Sequence, residues 1–294
     1  MGIGFNGRCE HNPGPSIGIT GEKLDKRINH SGPSPLLEED ETPAFEIGNA
    51  GGCSPLVLVC DHARNVIPRA LADLGLDADL RARHIALDIG CEMLAQRLAH
   101  LLDAVLVLAR FSRLVIDLNR PLDDPTSIAP CSDGFIVPGN QNISAEQRLP
   151  REEEIFIPYH KAVAAQVKRV HAKHGVPALI ALHSFTPTMA GNLRPWQIGI
   201  LWKDDQRMSL PLLASLRGDP DLCVGDNQPY DAREHVGYTI ETHGGINGFP
   251  HVLIEVRQDL IATEAGAMVW ADRLAEHLGP ILANCDLYQK RVSD

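Results

Sequence analysis

The chain has 294 residues, of which 44% are hydrophobic, and its 27 basic and 38 acidic side chains give a net charge of −11. This length is sufficient for one large α/β domain with a sizeable buried core. The acidic balance argues against nucleic-acid binding. No stretch of about 18 consecutive apolar residues predicts a transmembrane helix, so no membrane partner is expected. A small anionic substrate is compatible with this charge because it needs only a local group of arginines.

The cysteines and the N-terminus both predict a cytoplasmic protein. Seven cysteines are scattered along the chain without a Cys-x-x-Cys pair. An odd number without paired spacing indicates neither a disulfide framework nor a structural zinc site. The first residues, Met1 to Gly7, lack the charged region followed by an apolar core that marks a secretory signal. We therefore expect the protein to work in a reducing compartment.

Composition divides the chain near residue 42. Residues 1–42 are rich in Gly, Pro, Asn and Ser and end in the acidic run from Glu38 to Glu41. Such a segment buries little apolar surface, which predicts a flexible N-terminal extension. Over residues 43–294, strand-like runs alternate with helical patterns, without an internal repeat or a linker. This alternation predicts a single three-layer α/β/α domain with a mostly parallel mixed sheet.

The elements of this domain follow from continuous apolar runs, which are typical of buried parallel strands, and from helical spacing of apolar residues. In chain order, the pattern predicts a strand at 56–60, a helix at 83–102, strands at 104–108 and 114–117, a loop at 121–148, a helix at 152–174, strands at 178–182 and 197–202, a helix at 210–217, a strand at 251–256 and a closing helix at 264–278. Loops as long as 121–148 are often functional lids.

Three predicted strands lead into a residue that can bind a metal or move a proton. His62 follows the strand at 56–60, His183 follows the strand at 178–182, and Glu255 lies near the end of the last strand. In an open α/β sheet, ligands collect at the carboxyl ends of the strands, so these residues are expected to converge. A single histidine in a loop often has no function, but two histidines in equivalent positions at strand ends favour a functional role for both. Two histidines and a carboxylate suit a zinc hydrolase with an open coordination position.

The third metal ligand has two candidates. Asn65 stands three residues after His62, where an HxxE zinc enzyme places a carboxylate, but an amide is a poor zinc ligand. Asp88 lies in the otherwise apolar neighbourhood of residues 85–90 on the predicted helix, where a carboxylate is costly to bury unless it is paired or binds a metal. A surface salt bridge is the alternative interpretation of Asp88.

Glu255 is a carboxylate inside an apolar strand. Burial raises the pKa of a carboxyl group, and a raised pKa suits a general base or acid near neutral pH. The alternative is an ion pair with Arg257, which strand alternation places on the same face of the sheet.

The segment from Arg110 to Arg120 is dense in polar groups. Arginine binds carboxylates bidentately, so two or three arginines near one crevice would favour a dicarboxylate or an acylated amino acid. The alternative is an internal salt bridge of Asp117 with Arg113 or Arg120. A serine-hydrolase interpretation is weak because no Gly-x-Ser-x-Gly occurs, and Ser184 is better explained as the neighbour of a ligand. Cys60, two residues before His62, is better explained as an inert thiol in a buried strand than as half of a Cys–His pair.

Several segments together carry a family resemblance. They are Leu58–Pro68, the predicted helix with Asp88, Ser112–Arg120, His183–Pro187 and Ile254–Asp259. With these motifs the chain resembles the N-formylglutamate amidohydrolase family from about Phe45 to Ala271, and Ser112–Arg120 is the most specific match. The family's plan is similar to that of zinc amidases and carboxypeptidases.

The resemblance implies a set of site residues. In the zinc amidases that cleave cell-wall peptides, a first-strand His, a Glu on the next helix and a later strand-end His hold zinc, and a last-strand Glu is the base. Carried over, this implies that His62, Asp88 and His183 hold zinc and that Glu255 is the base. The chain departs from the pattern in having the shorter Asp88 for Glu, and Asp61 where other members have Pro or Glu before the first His.

The activity implied is hydrolysis of an N-acyl acidic amino acid, with N-formyl-L-glutamate giving formate and L-glutamate. Arg113 would stabilise the oxyanion or bind the substrate carboxylate. Further substrate contacts are expected from Arg120, Asn119, Arg64, Asn65 and Ser184. The alternatives are a zinc amidase or peptidase of different scope and a non-catalytic protein that binds a small anion. Assembly into a homo-oligomer is left open.

Overall fold

A computed structural model describes residues 35–234 and 237–291. The predicted N-terminal extension falls largely on residues 1–34, which lie outside the described residues. The chain is already packed at Leu36, which is buried, ahead of the predicted domain start at residue 43. The backbone N–H groups of Leu36 and Leu37 each donate to the carboxylate of Glu154 at 2.8 Å.

The strands agree with most of the predicted ones and add short hairpins. They are β1 (Phe45–Gly48), β2 (Leu56–Cys60), β3 (Val105–Ala109), β4 (Cys131–Ser132), β5 (Phe135–Ile136), β6 (Ala178–Phe185), β7 (Thr188–Met189), β8 (Asn192–Leu193), β9 (Ile198–Leu201), β10 (Val224–Asp226) and β11 (His251–Arg257).

The helices cover both faces of the central sheet. They are α1 (Ala78–Arg81), α2 (Cys91–Leu101), α3 (Ala145–Arg151), α4 (Ile157–His174), α5 (Ser209–Arg217), α6 (Tyr238–Ile240) and α7 (Glu264–Leu282). Among the described residues, no helix combines the length and the apolar character needed to cross a bilayer.

In the described part of the chain, the central sheet has seven strands in the order β1-β3-β2-β6-β11-β9-β10. The strands β3, β2, β6 and β11 are parallel, whereas β1 is antiparallel to β3 and β9 is antiparallel to β11. The mostly parallel mixed sheet predicted from the sequence is therefore confirmed. The carboxyl ends of β2, β6 and β11 lie side by side at one edge of the sheet.

Alternate side chains of the central strands point to opposite faces of the sheet, and a hydrophobic layer forms on each face. On one face, side chains such as Val57, Leu179 and Leu253 pack in a cluster with α4. On the other face, side chains such as Ile180 and Ile254 pack in a cluster with α2, α5 and α7. Both faces of the central strands are buried, which explains why these strands read as continuous apolar runs. The three-layer architecture is confirmed.

The predicted helix at 83–102 is shorter than expected. Turns occupy residues 82–90, and α2 begins only at Cys91. Gly90 has a φ of 78°, and a Cβ there would lie 2.1 Å from the carbonyl oxygen of Ile261. The backbone before α2 therefore follows a close contact with a distant loop, which helical periodicity does not reveal. Asp88 lies in this turn segment and not on the helix.

The predicted strand at 114–117 is a turn. The N–H of Val115 donates to the carbonyl of Ser112 at 2.9 Å. The carbonyl of Leu114 accepts from the side chain of Asn140 at 2.8 Å, and that of Val115 accepts from Arg151 at 3.0 Å. Buried side-chain donors thus replace a neighbouring strand, so apolar residues predicted a strand where none forms.

The predicted loop at 121–148 contains more structure than expected. It carries the hairpin β4–β5 and the first part of α3, which starts at Ala145 with Ser144 as its N-terminal cap. A π-helical turn, Glu152–Phe156, joins α3 to α4, so the predicted helix at 152–174 is the second half of a longer helical run.

Candidate active site

The ends of three neighbouring strands bring His62, His183 and Glu255 together. Glu255 lies opposite His183 in the ladder between β11 and β6. His62 follows β2, which pairs with β6 on its other side, and the rings of His62 and His183 have centroids 5.0 Å apart. All three side chains are buried. The convergence expected from strand-end placement is therefore present.

Asp88 is held next to His62 by its own backbone. The N–H of Asp88 donates to the carbonyl of His62 at 2.9 Å, which fixes the turn segment against the end of β2. The side chain of Asp88 is 4% exposed and points at both histidines, so a surface salt bridge is excluded.

The two histidines present the same ring nitrogen to Asp88. The Oδ2 atom of Asp88 lies 2.8 Å from Nδ1 of His183 and 3.4 Å from Nδ1 of His62. The candidate ligand atoms of the three residues all lie within 4.8 Å of one another. Two ligands of a tetrahedral zinc site lie about 3.3 Å apart when each bond is 2.0–2.1 Å. These three residues can therefore hold one metal ion with little movement.

The other nitrogen of each ring faces a buried carboxylate. Nε2 of His62 lies 2.7 Å from Oδ1 of Asp117, and Nε2 of His183 lies 3.3 Å from Oδ2 of Asp61. Such outer carboxylates fix the orientation and tautomer of metal-binding histidines. Nε2 of His62 is hydrogen-bonded to Asp117, whereas Nε2 of His183 lies only within ion-pairing distance of Asp61. Nδ1 is the atom that both rings direct towards Asp88, and hence the atom that each could offer to a metal.

Asp61 is itself fixed from two other elements. Its Oδ1 atom accepts a hydrogen bond from the hydroxyl of Tyr159 on α4 at 2.6 Å and from the hydroxyl of Thr239 on α6 at 2.9 Å. These contacts leave Oδ2 for His183, so the orientation of this histidine depends on residues from three separate elements.

The buried carboxylates around the two histidines carry more negative charge than the nearby arginine can balance. Asp61, Asp88 and Asp117 are all buried, and among the described residues Arg113 is the one Arg or Lys within ion-pairing distance of them. Its Nη2 lies 2.7 Å from Oδ2 of Asp117, and its Nη1 lies 3.6 Å from Oδ1 of Asp88. One guanidinium cannot balance three buried carboxylates, so further positive charge is needed.

The histidines respond to this excess of negative charge. Burial lowers the pKa of His183, but the carboxylates of Asp61 and Asp88 outweigh burial and raise that pKa well above its ordinary value. Burial and Arg113 lower the pKa of His62, and Asp117 and Asp88 raise it by more. A divalent cation between the two Nδ1 atoms and Asp88 would displace these protons and supply the same charge. The donor set and its charge therefore fit a divalent metal.

Glu255 lies beside this group without a partner of its own. It is 7% exposed, and among the described residues its Oε2 atom has no hydrogen-bond partner. Burial, and to a smaller extent the nearby Asp88, raise the pKa of Glu255 to about 7 against the opposite effects of His183 and Arg113. The alternative pair with Arg257 does not form, because Arg257 binds Asp259 at 2.8 Å.

A cavity of about 540 Å³ opens over these residues. The predicted site residues that line it are His62, Asp88, Arg113, Asn119, Arg120, His183, Ser184 and Glu255. Part of the loop predicted as a lid lines it too, because Ser132 and Asp133 of the β4–β5 hairpin face the cavity and Asp133 lies 3.1 Å from Nε2 of His84.

Two predicted substrate contacts lie elsewhere. The guanidinium of Arg64 binds the carboxylates of Glu92 and Glu46, and the side-chain amide of Asn65 donates to the carbonyl of Arg81 at 2.7 Å. Neither residue lines the cavity. Their closeness to His62 in sequence does not bring them to the site, because both side chains are held by partners outside the cavity lining.

The other predicted substrate contacts, Ser184, Asn119 and Arg120, do line the cavity, and the first two already make hydrogen bonds within the protein. The hydroxyl of Ser184 donates to the carbonyl of Ile89 at 3.0 Å, and the side-chain oxygen of Asn119 accepts from the N–H of Thr239 at 3.1 Å. Arg120 lines the cavity without an ion-pair partner among the described residues. The thiol of Cys60 lies 3.3 Å from that of Cys91, so the alternative Cys60–His62 pair is absent.

Sequence reasoning missed several residues that matter here. Tyr159 and Thr239 were not singled out, and Asp61 was noted only as a departure from the family pattern. A signal for Asp61 existed, since a carboxylate that continues a fully buried apolar strand needs a partner. Lys203, which also lines the cavity, gave no comparable signal.

The chain is similar to several known proteins. The chain is 31% identical to the N-formylglutamate deformylase of Pseudomonas aeruginosa over 162 residues, which cover 49% of this chain and 56% of that protein. The chain thus spans just over half the length of this curated relative. It is also 35% identical to a gene product of Agrobacterium tumefaciens of known crystal structure, with a TM-score of 0.81 over 84% of this chain and 98% of the other.

A second crystal structure supports the fold. The N-formylglutamate amidohydrolase of Ralstonia eutropha has a TM-score of 0.58 and 20% identity, over 81% of this chain and 99% of that one. The protein is thus an α/β protein with a mixed sheet, a His–Asp–His group that could hold a metal ion and a buried glutamate at the carboxyl edge of that sheet. The sequence model of the N-formylglutamate amidohydrolase family matches residues 54–262, and the chain belongs to that family.

Proposed function

We propose that this protein is a metal-dependent amidohydrolase that removes an N-acyl group, most simply formyl, from an acidic amino acid, with N-formyl-L-glutamate as the first substrate. The observation that carries this proposal is the buried group of His62, Asp88 and His183 with the unpartnered Glu255 beside it, at a cavity that also contains Arg120. Family membership and the name of the Pseudomonas relative support it.

His62, Asp88 and His183 would hold the metal, and two imidazoles with one carboxylate favour zinc. The metal would supply a Lewis acid that polarises the amide carbonyl and makes water more acidic. Asp117 and Asp61 would keep the two rings in place by their contacts with Nε2. We also propose a cytoplasmic location, which the free thiols of Cys53, Cys60, Cys91, Cys131, Cys223 and Cys285 support.

Glu255 would be the general base and then the general acid. It would take a proton from the attacking water and pass this proton to the leaving nitrogen, so that the amine departs uncharged. A pKa raised to about 7 by burial suits both transfers because the group exchanges a proton readily near neutral pH. Among the described residues, Oε2 is buried and has no hydrogen-bond partner, so no protein group competes for its proton-accepting lone pairs.

Arg113 and Arg120 would act on the substrate. Arg113 lines the cavity while Asp117 holds one side of its guanidinium, so its remaining N–H groups can face the carbonyl oxygen on which negative charge develops. Arg120 is available for the α-carboxylate, which every N-acyl amino acid carries next to the scissile bond. Asn119 and Ser184 would border the same end of the cavity.

The proposed function is tested by measuring amide hydrolysis on N-formyl, N-acetyl and N-succinyl derivatives of glutamate. We expect the N-formyl compound to give the highest kcat/KM, because a site shaped for a formyl group loses about tenfold or more for each carbon added. A higher value for another acyl group would instead indicate an amidase of different scope. Binding of these anions without any turnover would indicate a non-catalytic binding protein.

A further inference from the structure

The cavity continues along the sheet, away from the candidate metal ligands. In the antiparallel ladder of β11 with β9, Glu255 lies opposite Gly199 and Leu253 lies opposite Leu201. Leu201 and Leu253 belong to the hydrophobic cluster on the cavity face of the sheet. Both also line the cavity, together with Ile240. An apolar strip therefore extends the floor of the cavity from Glu255.

Lys203 stands at the far end of this strip. It is an exposed residue in the bend that follows β9, two residues after Leu201. It lines the cavity. Ile200 and Ile254, by contrast, pack in the cluster on the opposite face of the sheet.

Lys203 has no carboxylate within ion-pairing distance among the described residues, and of the arginines and lysines that line the cavity only Arg120 shares this property. Arg113 is committed to Asp117 and Asp88. A cavity lined by two cations that form no ion pair among the described residues is suited to a ligand with two anionic groups.

The position of Lys203 along the cavity suggests which carboxylate of a substrate it could bind. Lys203 comes four residues after Gly199, the residue opposite Glu255, and its flexible stem gives its ammonium group a range of positions over the cavity. The side-chain carboxylate of a glutamate lies farther from the scissile nitrogen than the α-carboxylate does, and Lys203 lies beyond the apolar Leu201 and Leu253 as seen from Glu255. The side-chain carboxylate is therefore the group better placed for Lys203, with its methylene groups over these two leucines.

We propose that Lys203 binds the side-chain carboxylate of the substrate and thereby determines the preference for acidic amino acids, whereas Arg120 binds the α-carboxylate. This inference rests on the proposed amidohydrolase function. It assigns a residue outside every family-like motif of the sequence to the selection of the substrate.

The test compares N-formylglutamate with N-formylglutamine, which differ only in the charge of the side-chain end. In Lys203→Met, kcat/KM for N-formylglutamate should fall by about 10- to 100-fold through KM, the range for losing a hydrogen bond to a charged group. The value for N-formylglutamine should not change. Lys203→Arg should keep the preference for the acid, and Lys161→Met, on the exposed face of α4, should behave as wild type.

Arg120→Met provides the opposite pattern, since both substrates carry an α-carboxylate. It should lower kcat/KM for the two substrates by the same factor. If Lys203→Met also lowers both equally, or leaves the ratio between them unchanged, the assignment of Lys203 is overturned. The same comparison can be made without turnover, by calorimetric binding of the two compounds to Glu255→Gln with and without Lys203→Met. Absence of hydrolysis in the wild type would refute the proposed function, and the binding data would still test Lys203.

Discussion

Glu255→Gln should lower the turnover of N-formylglutamate by about 10²- to 10⁴-fold, the usual contribution of a general acid–base group. The amide has the size of the carboxylate but cannot accept the proton of the attacking water. Because Glu255 is not one of the candidate metal ligands, zinc content and the binding of substrate should remain close to those of the wild type.

The measurement is formate release at saturating substrate, with zinc content determined on the same samples. Glu153→Gln is a matched control, because Glu153 is an exposed carboxylate in the helical turn before α4 and does not line the cavity. Near-normal turnover by Glu255→Gln with full zinc content would show that another group moves the proton.

His62→Ala and His183→Ala should each reduce bound zinc to well below one ion per chain. Each variant removes one of three ligands, and the carboxylate of Asp88 with a single imidazole is a poor zinc site. His174→Ala, an exposed residue at the end of α4, should keep its zinc. Full occupancy in both His62→Ala and His183→Ala would place the metal elsewhere.

The outer carboxylates should show a graded effect. Asp117→Asn and Asp61→Asn keep the ligands but weaken the hold on Nε2, so the affinity for zinc should fall by about 10- to 100-fold. Competition with a chelator of known affinity measures this change independently of activity. Affinities equal to that of the wild type in both variants would show that these carboxylates do not position the histidines.

The part of the site that lies at strand ends could be predicted from the sequence. His62, His183 and Glu255 each follow or end a buried apolar run, and parallel strands place such residues at a single edge. The sheet and the two covered faces followed from the same apolar runs. These features depend on local periodicity, which one sequence contains.

Features set by contacts between distant segments could not be predicted in this way. The turn that carries Asp88 depends on the fit of Gly90 against Ile261. The turn before Asp117 depends on donors from Asn140 and Arg151. Motif matching pointed to both aspartates, but only the fold shows that one faces the two Nδ1 atoms and the other an Nε2 atom.

Contacts between side chains from separate elements could not be predicted from the sequence either. Tyr159 and Thr239 meet at Asp61 although they lie 98 and 178 residues from it in the chain. Arg64 and Asn65 show the reverse case, since both are neighbours of His62 in sequence and lie outside the cavity lining. Nearness in sequence to a candidate metal ligand therefore does not place a side chain in the cavity.

The central claim is that His62, Asp88 and His183 hold a metal needed for hydrolysis of N-formylglutamate. The most direct test is formate release by the purified protein before chelation, after chelation and after zinc is restored, with zinc quantified at each stage. This role of the metal predicts about one zinc per chain at the start, loss of turnover together with the metal, and recovery of both. Turnover that persists at full rate in metal-free protein would contradict it.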